Sequence, residues 1–179
     1  ESSLGRNSSQ VNCYTADMST ARIPELDDLP QYPSWLAVVK TYARCHRLLS
    51  VRLAALDLSV AQHELLLAVG RDEGLSQQTL AGRLLTGKSN VTALLQRLES
   101  RGLVRREQDA QDARGRHVYL TDEGRDRLAA SSRVQAEVVE LMTAGLSPAQ
   151  IATLGDIMRT VGARLADALG PDEGPGLPA

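Results

Sequence analysis

Apolar residues recur at helical spacing through most of this chain, and they alternate in one short stretch past the middle. Trp35, Val38, Val39, Tyr42, Leu49 and Leu53, following Ser34, predict a helix of roughly six turns. Ser59-Val-Ala-Gln62 has the form of a capping box, in which the serine accepts from the third amide and the glutamine reaches back. It opens a second helix through Leu65, Leu66 and Val69 that fades over 71–74. Ser76 caps a short third helix, Gln77 to Leu85, with Leu80, Ala81 and Leu84 turned inward. After Thr86-Gly87 a fourth helix, Lys88 to Ser100, carries Val91, Leu94, Leu95 and Leu98 at i, i+3, i+4 and i+7, and Gly102 ends it. Leu103 to Glu107 and Arg116 to Leu120 then read as two strands, joined by the polar, glycine-containing loop 108–115. Thr121 caps a fifth helix running to about Ala144, and Ser147-Pro-Ala-Gln150 is a second capping box with proline at its favoured place. The last helix aligns Ile151, Leu154, Ile157, Met158, Val161 and Leu165.

The predicted order is α-α-α-α-β-β-α-α, a mainly helical fold with a small β-hairpin. A short helix, a tight turn, a second helix and then a hairpin make a winged helix-turn-helix, the hairpin being the wing. The expected layout is a flexible arm over 1–30, a long helix within 31–57 and the winged domain over 58–121. Two further helices fill 122–169, and an irregular tail covers 170–179. The helices outside the winged domain carry apolar stripes that a single copy has too little core to cover, so the chain is expected to pair with itself.

Composition narrows the function. With 3% aromatic residues and no phenylalanine, the core must be built from aliphatic side chains, which suits helices. A net charge of −2 hides an uneven spread: residues 76–119 hold eight basic and four acidic residues, while the remainder is acidic. A basic block in an acidic body is the footprint of a localised phosphate-contacting surface, and equally that of a solvated face. Cys13 and Cys45 form no CxxC pair and no cysteine–histidine cluster, which argues against a disulfide scaffold and a structural zinc site. No charged-then-apolar leader opens the chain and no apolar run is long enough to span a bilayer, so a cytoplasmic protein is expected.

Candidate chemistry concentrates at the fourth helix. Lys88, Ser89, Asn90 and Thr92 at its start, with Gln96 and Arg97 further on, lie off the apolar stripe and suit entry into a DNA major groove. There asparagine pairs with adenine, lysine with guanine, and threonine touches a thymine methyl. In the hairpin loop, Arg114 and Arg116 are candidates for the narrow minor groove, with Asp112 a support that pairs with a neighbouring arginine. Gly82 to Ser89 matches the phosphate-loop pattern G-x-x-x-x-G-K-[ST] at every position, but that motif requires a buried strand before it. Here the preceding residues read as helix, so nucleotide hydrolysis is not expected. His63-Glu64 lacks the second histidine of H-E-x-x-H, position 67 being leucine, and no G-x-S-x-G occurs. No metal, cofactor or enzymatic role is expected.

The ordered set Leu58-Ser-Val-Ala-Gln62, Leu75-Ser-Gln77, Leu80-Ala81, Ser89-Asn-Val-Thr92, Arg97-Leu-Glu-Ser-Arg-Gly-Leu-Val-Arg-Arg106, Asp112-Ala-Arg114 and Leu120-Thr-Asp-Glu-Gly124 resembles the MarR (multiple antibiotic resistance regulator) family, over roughly 36–169. The resemblance implies a homodimer joined by the first and last two helices, and two recognition helices reading a pseudo-palindromic operator in double-stranded DNA. It also implies Arg114 in the minor groove and repression released by a small aromatic or phenolic effector. Trp35, Tyr42, His46 and His63 are candidates for lining an effector pocket, with core and interface the preferred reading of the four. Trp35 stands where the peroxide-sensing branch carries its reactive cysteine, and Val91 where the urate-responding branch carries an arginine. A winged-helix module used for protein contact, without DNA reading, is the alternative.

Overall fold

The computed structural model describes residues 23–83, 88–108 and 116–170, with residues 82 and 88–90 described by their backbone alone. It forms two units, divided between Cys45 and His46. The first holds a one-turn helix α1 (Pro24–Asp27) and the opening of α2 (Tyr32–Ala54), where the rings of Tyr32 and Trp35 stack at 5.6 Å. Helix α1 lies inside the stretch expected to be an irregular arm. Proline opens it, and the Asp27 carboxylate reaches back to accept from the Ile23 amide at 2.7 Å.

The second unit contains the end of α2, then α3 (Val60–Arg71), β1 (Leu75–Ser76), α4 (Gln77–Arg83), α5 (Lys88–Ser100), β2 (Val104–Gln108), β3 (Arg116–Leu120), α6 (Asp122–Thr143) and α7 (Pro148–Leu169). Both capping boxes are present, with Ser59 accepting from Gln62 and Ser147 from Gln150. Strand β1, two residues long, was not expected from the sequence. It pairs with β3 (Leu75 opposite Val118), giving an antiparallel sheet in the order β1-β3-β2. The core lies between α3, α4, α5 and this sheet: Leu53, Leu65, Leu66, Leu80, Leu95 and Leu98 are all fully buried. Each such leucine contributes about 1.5–3 kcal/mol by leaving water.

Helix α6 packs on α3, and its buried residues Gly124, Ser131 and Val138 recur at seven-residue intervals. Helix α7 differs in kind. None of its residues is buried, and Leu154, Ile157 and Leu165 are 49%, 54% and 60% exposed. No described helix is long and apolar enough to cross a membrane.

Candidate nucleic-acid interface

Helix α5 is held from one side and open on the other. Val91, Leu94, Leu95 and Leu98 are buried, whereas Thr92, Gln96 and Arg97 are exposed. Thr92 and Gln96, four residues apart, share one row of the outer face. Thirteen residues give a helix of roughly 20 Å, long enough to lie across a major groove.

Its C-terminal end is fixed by a closed turn. Gly102, at φ +69°, donates to the Glu99 carbonyl at 2.9 Å, and Leu103 donates to the Leu98 carbonyl at 2.9 Å. This is the paired-bond termination that a left-handed residue allows and that a glycine adopts without steric cost. The chain then turns directly into β2, so the helix end dictates where the ribbon begins. A second tie spans the same junction: the Arg106 guanidinium on β2 grips the Glu99 carboxylate, with Nε at 3.0 Å. That bond holds the Glu99 carboxyl below the usual carboxylate range and raises Arg106 further. Arg106 is largely covered, its side chain 13% exposed, whereas the Glu99 side chain is 37% exposed, so salt still screens the pair in part. Helix and ribbon therefore form one piece.

These ties sort the basic block. Arg83 binds Asp72 at 3.0 Å, Arg101 donates to the Asp57 carbonyl at 2.6 Å, Arg106 takes Glu99, and Arg105 pairs with Glu107 while lying 4.8 Å over the Tyr119 ring. Among the described residues of the block, these four arginines thus engage partners within the fold. Arg97 and Arg116 are exposed on α5 and at the start of β3. Lys88, Ser89 and Asn90 occupy the first turn of α5, known here by backbone only, and Asp112 and Arg114 lie outside the described residues. The sequence reading missed the Glu99–Arg106 and Arg83–Asp72 ties. Both pair opposite charges 7 and 11 residues apart across a change of element, where no period signals contact.

The phosphate-loop pattern is not set in the required context. Gly82 belongs to α4, and the two-residue strand β1 is separated from it by that helix. Residues 84–87 lie outside the described set.

Of the four candidate pocket residues, Trp35 and Tyr42 belong to the first unit and are 51% and 64% exposed. His46 and His63 belong to the second, and Cys45 is a half-buried free thiol. His63 is completely buried where α3 meets α6. Its Nδ1 lies 3.0 Å from Ser131 Oγ and its Nε2 3.1 Å from Gln135 Oε1. The Ser131 hydroxyl donates to the Leu128 carbonyl at 3.1 Å, and the tautomer of the His63 ring sets the direction of its own two contacts. Burial pushes His63 below the usual histidine value, with the Gln135 bond opposing.

A base with a lowered folded-state pKa binds protons more readily when unfolded, so its contribution to stability is complete above about pH 6.5. That contribution is lost as pH falls through the folded-state value. Half-buried Glu64 runs the other way. Burial raises its carboxyl, so acidification relieves a cost. The expected result is that chemical unfolding of the chain shows a loss of stability as pH drops below about 6.5. In His63→Gln that part of the pH dependence disappears. An unchanged pH profile in the variant contradicts the assignment.

A sequence profile described as the MarR family matches residues 56–115. Among curated proteins, the transcriptional regulator HosA of Escherichia coli O127:H6 is 38% identical over 91 residues, covering 51% of this chain and 67% of HosA. The HTH-type transcriptional regulator TtmR of Methylorubrum extorquens is 38% identical over 89 residues, covering 50% of this chain and 44% of TtmR. Among solved structures, the transcriptional repressor CouR bound to a 23-mer DNA duplex superposes with a TM-score of 0.68 at 28% identity, over 80% of this chain and 99% of that one. A mutant MarR from E. coli complexed with operator DNA gives a TM-score of 0.66 at 25% identity, over 79% and 99%.

Proposed function

We propose that this chain, which belongs to the MarR family of transcriptional regulators, works as a homodimeric repressor. In this reading two α5 helices enter adjacent major grooves of a pseudo-palindromic operator. The observation that carries it is the outer face of α5, with Thr92, Gln96 and Arg97 exposed on a helix whose other side is locked into the core and tied to a β-ribbon. Two relatives of the same fold, at 28% and 25% identity, are known with DNA bound. Lys88, Ser89 and Asn90 join this reading by position in the first turn of α5 and Arg116 by its exposure at the start of β3, while Arg114 enters it from the sequence alone.

Pairing is supported by α7. Ile151, Leu154, Met158, Val161 and Leu165 are each at least 40% exposed along 22 residues of helix. A helix with so continuous an apolar stripe in water needs a covering surface, and a second copy supplies one by symmetry. Two copies also set the spacing of two recognition helices, about 34–36 Å for half-sites one turn apart. Release is assigned to a small aromatic or phenolic effector. To move the dimer from almost wholly operator-competent to almost wholly incompetent, that effector must prefer one state by roughly 5.5 kcal/mol.

A titration against duplex DNA at several salt concentrations tests the reading. The expected solution mass is twice the 19.3 kDa of one chain. The affinity should fall with salt on a log–log slope of about −0.9 for each phosphate neutralised. A monomer, or a complex indifferent to salt, contradicts it. The latter result favours a protein partner for the winged domain.

A further inference from the structure

Helix α4 carries a side chain that reaches onto the reading face of α5. Ser76 caps α4, accepting from the Thr79 amide at 3.0 Å with its oxygen 2.8 Å from the Thr79 hydroxyl. Its first residue, Gln77, is half-buried and is not consumed by that cap. The Gln77 carboxamide crosses to the neighbouring helix, where Nε2 donates to Thr92 Oγ1 at 2.6 Å. Thr92 is exposed on the outer face of α5, in the row it shares with Gln96.

A threonine on a helix divides its time between two side-chain rotamers, which place the hydroxyl and the methyl differently. A hydrogen bond from one side removes that freedom. The bond from Gln77 commits the Thr92 oxygen to α4 and so fixes where its methyl lies. A fixed methyl makes an apolar contact that tells thymine, with its C5-methyl, from the other bases. A hydroxyl free to turn is a donor and acceptor that tolerates several. We propose that Gln77 is a positioning residue for DNA specificity: it never needs to touch the duplex, and it sharpens the choice of base pair opposite Thr92 by locking that side chain. The proposal rests on α5 being the recognition helix.

The test uses the full chain, the duplex that it enriches from a random pool, and the set of duplexes in which each half-site base pair is changed in turn. Gln77→Ala is expected to reduce discrimination at one base pair by about fivefold or more, with discrimination at the other positions unchanged. Thr92→Val, which keeps a methyl in either rotamer and has no hydroxyl to fix, is expected to make the Gln77→Ala change silent when the two are combined. A structural role for Gln77 would not produce that cancellation. Uniform weakening on every duplex by Gln77→Ala, unchanged discrimination at every position, or additive effects in the double variant would each overturn the proposal while leaving the recognition-helix reading intact. If the parent chain enriches no sequence at all, both fall together.

Discussion

Gly124→Ala is expected to lower the stability of the fold by about 3 kcal/mol or more, a backbone-limited overpacking at the upper end of its range. The midpoint of thermal unfolding should drop by roughly 10 °C. The reason is a close approach that only a residue without a side chain permits. A β-carbon at position 124 would lie 1.9 Å from the carbonyl oxygen of Leu103 and 2.9 Å from its carbonyl carbon. That carbonyl cannot yield freely, because it accepts from the Thr121 amide at 3.2 Å. Thr121 in turn donates its hydroxyl to the Gly102 carbonyl at 2.6 Å and accepts from the Gly124 amide at 3.0 Å. The turn that ends α5, the start of β2, the end of β3 and the first turn of α6 thus meet in one hydrogen-bonded knot. Opening it for a methyl group moves the recognition helix relative to α6. Gly70→Ala is the comparison. There the added carbon meets Leu128 Cδ2 at 2.3 Å, the far end of a side chain that can rotate away, so the loss should be clearly smaller. Equal melting points for the two variants would contradict the knot.

The second large effect is on binding. Replacing Thr92, Gln96 and Arg97 together with alanine should weaken the complex with the chain's preferred duplex by about 100- to 1000-fold, taking 1–3 kcal/mol for each base-edge contact and less for a phosphate contact. All three are exposed and lie on the face of α5 away from its buried stripe. Alanine is the best helix former, so folding should be retained. The slope of affinity against salt should also flatten by about 0.9 for each phosphate that the variant no longer neutralises. Full affinity in this variant would move the reading surface away from α5.

Much of this arrangement was legible in the sequence, for reasons that differ from element to element. The α5 stripe of Val91, Leu94, Leu95 and Leu98 and the glycine two residues beyond its end are local signals, and each acts locally in the fold. The two capping boxes are likewise contained within four residues. Strand β1 was invisible because two residues carry no alternation, and its partner lies more than forty residues away. His63 read as a lone histidine because Ser131 and Gln135, which satisfy it, are 68 and 72 residues distant. The charge count over 76–119 does not reveal which of its arginines bond to Glu99, Asp72 or a carbonyl, because those partners are set by the fold. The link from Gln77 to Thr92 depends on how two helices cross, which no spacing along the chain encodes.

Selection from a pool of random duplexes by the purified chain tests the central claim most directly. The account predicts enrichment of one sequence with two-fold symmetry, its half-sites one helical turn apart, and loss of that enrichment in the Thr92, Gln96 and Arg97 variant. A pool that emerges as random as it entered, from a protein shown to be folded, would contradict it.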